Sequence, residues 1–146
     1  MAKIELVSKL INHWKKSNLL CGSPLTSITS NESYQAYVTL PEDFKELYKN
    51  INGTADDDDE GFLFYRQQDL ITMGKKFSLD EADELYNVVI FIDYMQSSWW
   101  YGVRTTGNGY EIGIIPHEKK FKPIAIALEN FIDLYIADSE RLYDYD

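Results

Sequence analysis

Five consecutive carboxylates form the densest group of candidate ligands: Asp56, Asp57, Asp58, Asp59 and Glu60. Asp56, Asp58 and Glu60 alternate like the first ligands of a calcium-binding loop, and Gly61 falls at its sharp turn. The closing acid of such a loop is replaced by Gln67, and strand-like sequence follows where a helix is required. We therefore predict no metal and no other cofactor. Adjacent carboxylates repel one another, so the run is predicted to be a loop, either simply solvated or in contact with a partner.

A second candidate is aromatic, because Trp99, Trp100 and Tyr101 are adjacent in a segment with strand propensity. Successive side chains of a strand point to opposite faces of a sheet. One of the two tryptophans must then point away from the core, unless a helix or a partner covers it. An exposed tryptophan is a good anchor for a protein partner or a sugar ring, and core packing on both faces is the alternative.

Residue types that support catalysis are few and scattered. His13 and His117 lie near opposite ends of the chain, and the single cysteine, Cys21, has no identifiable base beside it. Gly107-Asn108-Gly109 lacks the lysine and the following helix of a phosphate loop. Asp93, beside a hydrophobic strand, is the one candidate for the acid of a glycosidase-like pair. We predict that the chain is not an enzyme.

The charge is unevenly distributed along the 146 residues, which carry 14 Lys and Arg against 24 Asp and Glu. Residues 1–50 contain six basic and five acidic residues, so eight basic and nineteen acidic residues remain for the rest. An acidic surface repels phosphate backbones and attracts a basic protein, although solubility alone would also explain it. We therefore expect a protein partner and no nucleic acid.

The chain is expected to be a cytoplasmic single domain, residues 1–146, that is a monomer or a weak homo-oligomer. Its hydrophobic fraction of 45% is sufficient for a core. No apolar run reaches the roughly 20 residues that span a bilayer. The first residues include Glu5 and become amphipathic, so no signal peptide and no membrane partner are predicted.

Helical periodicity predicts three main helices. The first runs from Ile4 to Lys16 and is amphipathic. Thr39-Leu40-Pro41-Glu42 has the spacing of a capping box, with Thr39 as the cap, and Asn52-Gly53 is typical of a left-handed helix stop. The last helix is predicted from Leu128 to Asp138, and residues 139–146 are expected to fray.

Strand propensity places a sheet in the middle of the chain, with strands at Phe62–Tyr65, Val88–Ile92, Ser98–Val103 and Tyr110–Ile115. Short turns near Met95-Gln96 and at Gly107-Asn108-Gly109 make the last three strands an antiparallel meander. A second capping-box spacing predicts a short helix after Ser78. Residues 25–38 have no clear pattern, although Asn31 could open a short helix. The element order predicts an α+β fold with a mostly antiparallel sheet and flanking helices.

These landmarks, in this order, resemble the SUKH superfamily, which includes a yeast cell-wall-synthesis regulator and many bacterial proteins. The resemblance covers about residues 39 to 138. It rests on Leu40-Pro41-Glu42-Asp43-Phe44, the helix stop at Asn52-Gly53, the aromatic strand and hydrophobic strand pair, and Pro123-Ile124-Ala125 before Glu129-Asn130-Phe131-Ile132. Ala127 stands where a small polar residue commonly caps the final helix, a loss of about 1 kcal/mol.

The resemblance implies a partner-binding domain, and many bacterial members look like immunity proteins that bind a polymorphic toxin and block it. A nuclease toxin is basic around its substrate groove, so an acidic inhibitor gains attraction and fast encounter. The hypothesis is an immunity protein that neutralises a basic, nuclease-type toxin by steric and electrostatic occlusion. Its predicted contacts are Asp56 to Glu60, with Trp99 or Trp100 as an apolar anchor. The alternative is a regulatory scaffold that binds a cellular protein without neutralising it.

Overall fold

An antiparallel β-sheet with helices packed against it forms the centre of the protein, whose computed structural model describes residues 2–23 and 31–144. The helices in these ranges are α1 (Ala2–Lys15), α2 (Asn31–Val38), α3 (Glu42–Asn50), α4 (Met73–Phe77) and α5 (Leu128–Ile136). The strands are β1 (Phe62–Phe64), β2 (Ile71–Thr72), β3 (Val89–Tyr94), β4 (Trp99–Thr106), β5 (Gly109–Ile115) and β6 (Lys122–Ala125). Short 3₁₀ helices occupy Gln67–Asp69 and Glu140–Tyr143. The predicted α+β class with flanking helices is confirmed.

The strands lie in the order β1, β3, β4, β5 and β6. Strand β2 pairs with the same edge of β3 as β1 does, and β4 pairs with the opposite edge. All of these pairs are antiparallel. Thr106 pairs with Gly109, so Gly107 and Asn108 form the two-residue turn of a hairpin. The predicted meander of three strands is therefore confirmed, and β6 extends it by one strand.

The sheet buries apolar side chains on both faces. The larger core collects side chains from α1, α3 and α5, including the predicted buried face of α5: Leu128, Phe131, Ile132 and Tyr135. A bulge in β3 between Ile90 and Ile92 allows both Phe91 and Ile92 to join this core. The smaller core lies on the other face and consists of Met73, Val88, Ile90, Trp100 and Ile115. Helix α4 contributes Met73 and so covers this second face.

The predicted capping box at Thr39 is wrong, although the helix that follows it is present. Helix α2 extends to Val38, so Thr39 lies in the turn that ends α2, and its hydroxyl donates to the carbonyl of Ala36 at 2.9 Å. Helix α3 begins after Pro41 without a side-chain cap. The start of α2 at Asn31 agrees with the short helix considered there, and residues 24–30 lie outside the described residues.

The predicted helix stop at Asn52-Gly53 is also wrong in its role. Helix α3 ends at Asn50, and Ile51 is already extended. Gly53 does have a positive φ of 69°, but a Cβ there would lie 2.5 Å from the carbonyl oxygen of Phe64. The glycine is therefore required by the close approach of this segment to β1, and not by the end of the helix.

The short helix predicted after Ser78 lies before it instead. The hydroxyl of Thr72 accepts from the backbone N–H of Lys75 and caps α4, and Ser78 ends the helix with a φ of 54°. Residues 79–87 then form successive turns. The carboxylates of Asp80 and Asp83 accept from the N–H groups two residues further on, which satisfies the backbone locally without a helix.

The C-terminal segment is ordered further than predicted. Leu142 is fully buried, and its carbonyl accepts a hydrogen bond from the hydroxyl of Tyr101. Lys122 on β6 forms an ion pair with Asp144 at 3.0 Å. The prediction that residues 139–146 fray is therefore wrong for 139–144, because Leu142 supplies an apolar anchor, and residues 145–146 lie outside the described residues.

Helix α5 receives its missing cap from another strand. Ala127 provides no side-chain acceptor, but the hydroxyl of Tyr110 on β5 accepts from the N–H of Leu128 at 2.6 Å. The same hydroxyl donates to the carboxylate of Asp43 on α3 at 2.7 Å. The expected capping loss is thus offset by a side chain distant in sequence, which also joins α5 to α3.

Candidate protein-binding surface

The acidic loop, residues 56–60, is held in a tight turn by one of its own carboxylates. Oδ1 of Asp58 accepts from the backbone N–H groups of Glu60 at 2.8 Å and Phe62 at 2.9 Å. The backbone of Asp58 also bonds to that of Phe62 and Gly61. The loop is therefore fixed directly to the start of β1.

The second oxygen of Asp58 faces the larger core. The hydroxyl of Tyr135 on α5 donates to Oδ2 of Asp58 and accepts from Nε1 of Trp14 on α1 at 2.8 Å. Burial, followed by the hydrogen bond to Asp58, raises the pKa of Tyr135 far above its ordinary value, so the phenol remains protonated. Asp58 therefore ties the loop directly to α5 and, through Tyr135, to α1, and both of its oxygens are used within the fold.

The other four carboxylates of the acidic loop, those of Asp56, Asp57, Asp59 and Glu60, are exposed to solvent. Asp59 and Glu60 lie within the turn that Asp58 closes, and Asp56 and Asp57 directly precede it. Among the five acids predicted as partner contacts, these four have side chains free to meet another molecule.

The two tryptophans lie on opposite faces of the sheet, as the strand periodicity requires, but neither is fully exposed. Trp100 is only 4% exposed because two rings cover it. The ring of Phe77, on α4, lies 5.2 Å from it, and the ring of His117, in the turn after β5, lies 5.1 Å from it. Trp100 thus belongs to the smaller core and is not available as an anchor. Trp99 is half-buried on the other face.

Trp99 forms an aromatic platform with Tyr94 and Tyr143. It pairs with Tyr94 across β3 and β4, and their rings stack with centroids 4.5 Å apart at 24°. The ring of Tyr143, from the C-terminal 3₁₀ helix, approaches Tyr94 edge-on at 5.7 Å. All three side chains are half-buried. The platform therefore combines apolar contact area with remaining access from solvent.

The turn between β3 and β4 brings the acidic loop to the platform. The N–H of Met95 donates to the carbonyl of Gly61 at 2.9 Å, and a Cβ on Gly61 would lie 2.5 Å from Sδ of Met95. Gly61 has a φ of 98°, which together with this close approach explains why glycine occupies the position. The Met95 side chain is itself 52% exposed. The exposed methionine thus lies between the acids and the aromatic rings.

This turn holds three consecutive non-glycine residues at positive φ, namely Met95, Gln96 and Ser97. Each such residue costs about 1–2 kcal/mol relative to a right-handed conformation. The carboxylate of Asp93 compensates by accepting from the N–H of Ser97 at 2.7 Å and from its hydroxyl at 2.8 Å. Asp93, the candidate catalytic acid, is therefore engaged as the cap of a strained turn.

The remaining candidates from the sequence also have structural contacts. The ring of His13 meets that of Tyr135 edge-on at 5.2 Å, and Nε2 of His117 lies 2.8 Å from the carbonyl oxygen of Ser97. Cys21 is an exposed thiol whose pKa is raised by partial burial. Within residues 2–23 and 31–144, no three His, Cys, Asp or Glu side chains are grouped as metal ligands. In the same ranges no helix is both long and apolar enough to cross a bilayer.

Sequence reasoning missed three members of this surface: Tyr94, Tyr143 and Asp138. Tyr94 lies opposite Trp99 because the turn between β3 and β4 spans four residues, Met95 to Ser98, whereas a two-residue turn at Met95-Gln96 would have placed Ser97 opposite it. The hydroxyl of Tyr143 donates to the carboxylate of Asp138, a contact that only a folded C-terminal segment brings about.

The fold and the surface together define an acidic α+β domain with an aromatic platform beside a fixed acidic loop. No protein-family model, no curated protein and no solved structure matches the chain significantly.

Proposed function

We propose that this chain is an immunity-type protein that binds a basic, nuclease-type toxin domain in the cytoplasm and neutralises it. The resemblance to the SUKH superfamily supplies the class, and the observed order of helices, antiparallel sheet, closing strand and closing helix supports it. The proposal concerns binding by surface complementarity and requires no chemical step.

The observation that carries the proposal is that the acidic loop, with its four exposed carboxylates, ends at Gly61, which contacts the turn between the half-buried Tyr94 and Trp99. Protein interfaces obtain most of their binding free energy from aromatic and arginine side chains near the centre, surrounded by a polar rim. Here Trp99 and Tyr94 would supply the apolar centre. The charged rim would come from the four exposed acids Asp56, Asp57, Asp59 and Glu60. Charge or apolar area alone would support the proposal much less.

Neutralisation would follow from occlusion of a basic substrate groove. Carboxylates on a rigid loop can occupy the positions that substrate phosphates take, and they lose little conformational entropy on binding because Asp58 already fixes the backbone. The net charge of −10 adds long-range attraction, which accelerates encounter and weakens as salt is added.

The test is co-expression with the toxin domain encoded next to the gene, read out by growth and by capture of the complex. We expect the chain to restore growth and to purify with the toxin at a fixed ratio. Restored growth without a complex, or a folded chain that neither rescues nor binds, would contradict the proposal. The second result would favour the regulatory scaffold.

A further inference from the structure

Two carboxylates belong to segments that contact the aromatic platform of Tyr94, Trp99 and Tyr143. Glu60 precedes Gly61, whose carbonyl accepts from the N–H of Met95 beside Tyr94, and Asp138 accepts from the hydroxyl of Tyr143. We propose that this platform binds an arginine side chain of the basic partner, which stacks on the rings and pairs with Glu60 and Asp138. The inference rests on the proposed function for the existence of a basic partner, and it names the group recognised.

The electrostatics of the platform favour a cation. Burial is the first cause that raises the pKa of Tyr94, and the carboxylates of Glu60, Asp138 and Asp58 are the others. Burial and the bond to Asp138 likewise raise the pKa of Tyr143. Each charged side chain that shifts the pKa of Tyr94 is therefore negative, and the field at its hydroxyl is that of several carboxylates. A positive group placed there would relieve their mutual repulsion.

Arginine fits this environment better than lysine. Its guanidinium is planar, weakly hydrated and able to stack on an aromatic face while it donates to carboxylates at its edge. An ammonium is compact and strongly hydrated, so it loses more hydration on entering a half-buried aromatic site. The platform offers ring surface and carboxylates together, which is the combination that a guanidinium uses.

The same recognition occurs inside this protein. The guanidinium carbon of Arg104 lies 4.5 Å from the centroid of the Phe121 ring, and Nη2 of Arg104 lies 2.7 Å from a carboxylate oxygen of Glu111. Ring and carboxylate therefore hold one arginine at the same time on the other part of the sheet. The platform presents the same two components, with ring area that solvent still reaches.

A matched control is available in a second acidic loop, residues 80–84, whose carboxylates Asp80, Glu81, Asp83 and Glu84 are all exposed. Four residues separate it from the start of β3, whereas Gly61, next to the first loop, contacts Met95 just after the end of β3. The two loops thus lie at opposite ends of the same strand, and only the first adjoins the platform. Removing two charges from the second loop changes the net charge as much as removing those of Glu60 and Asp138.

The experiment follows the indole N–H signals of the full chain by NMR during titration with hexaarginine, hexalysine and an uncharged hexapeptide. The chain has three tryptophans, and a Trp99→Phe variant assigns the signal of Trp99. We expect hexaarginine to shift the Trp99 signal in preference to those of Trp14 and Trp100. Hexalysine should bind more weakly, and the uncharged peptide should cause no shift.

Two double variants then test which carboxylates contribute to hexaarginine binding. Glu60→Gln with Asp138→Asn should weaken hexaarginine binding by on the order of tenfold, while Glu81→Gln with Glu84→Gln should change it less than about twofold. Asparagine tolerates the positive φ of 52° at Asp138 and can still accept from Tyr143, so the variant is expected to fold.

An unmoved Trp99 signal, or equal effects of the two double variants, would overturn this inference. Growth rescue by the toxin assay is a separate readout, so the two proposals fail independently. Intact rescue without a Trp99 response contradicts only the arginine site. A Trp99 response without rescue contradicts only the toxin-neutralising function.

Discussion

The two acidic loops at the ends of β3 carry the same number of exposed carboxylates in very different surroundings. The loop at 56–60 is tied through Asp58 to Tyr135 and Trp14, and it adjoins a strained turn and the aromatic platform. The loop at 80–84 is held by local hydrogen bonds that the carboxylates of Asp80 and Asp83 accept from backbone N–H groups. Because the two loops carry equal exposed charge, a difference in binding between them would have to come from the side chains around them.

The largest expected effect is on the free energy of unfolding, and it compares the anchor of the first loop with that of the second. Asp58→Ala leaves the hydroxyl of Tyr135 and two backbone N–H groups without their acceptor, and should lower the free energy of unfolding by about 2–4 kcal/mol. Asp83→Ala removes one exposed hydrogen bond and should cost less than about 1 kcal/mol. Urea unfolding measures both. Equal losses would show that Asp58 does not anchor its loop.

Alkaline pH tests the hydrogen bond between Tyr135 and Asp58 through the ionisation of the Tyr135 phenol. Burial and the bond to Asp58 raise the pKa of this phenol in the folded state, whereas the unfolded phenol has a pKa of about 10. The resulting stabilisation is complete below about pH 10 and is lost as the pH rises further, by up to about 1.4 kcal/mol per pH unit. The stability advantage of the wild type over Tyr135→Phe should therefore shrink above pH 10. An advantage that stays constant from pH 8 to pH 11 would contradict this account.

A smaller effect tests whether the strain beside the platform serves binding. Gln96→Gly relieves a positive φ of 54° and should stabilise the fold by about 0.5–1 kcal/mol, while partner binding weakens because the turn loses its fixed shape. Ser78→Gly relieves the same φ before the second loop and should stabilise similarly without affecting binding. Urea unfolding and partner titration measure the two quantities. Unchanged binding in Gln96→Gly would show that the strained turn does not contribute to partner binding.

The sequence predicted well what depends on periodicity within one segment. The antiparallel meander, the hairpin turn at Gly107-Asn108 and the buried face of α5 follow from apolar spacing and turn residues, and each is observed. Such features are local, so the residues that determine them lie close together in the chain.

What the sequence did not predict depends on contacts between distant segments. Thr39 has the right type for a cap, but α2 extends far enough to use its hydroxyl first. The C-terminal segment is ordered because Leu142 enters a core formed by other elements, and α5 takes its cap from Tyr110 on β5. These outcomes depend on tertiary packing, which local spacing does not encode.

The candidate surface was predicted in part for the same reason. The acidic run and the tryptophan pair were both found, but five adjacent acids give no indication of which one turns inward, and Asp58 does so because Tyr135 lies opposite it. The choice between Trp99 and Trp100 depends on α4, which covers Trp100. Tyr143 joins the platform only because the C-terminal segment folds back.

The most direct test of the account compares the association rates of two charge-matched variants with the co-encoded toxin domain at low and high salt. One variant carries Asp56→Asn, Asp57→Asn, Asp59→Asn and Glu60→Gln; the other carries Asp80→Asn, Glu81→Gln, Asp83→Asn and Glu84→Gln. We predict that the first slows association by on the order of tenfold or more at low salt and weakens the salt dependence, with a clearly smaller effect of the second. Equal slowing by both variants would contradict a binding surface at the acidic loop and leave only the attraction of the net charge.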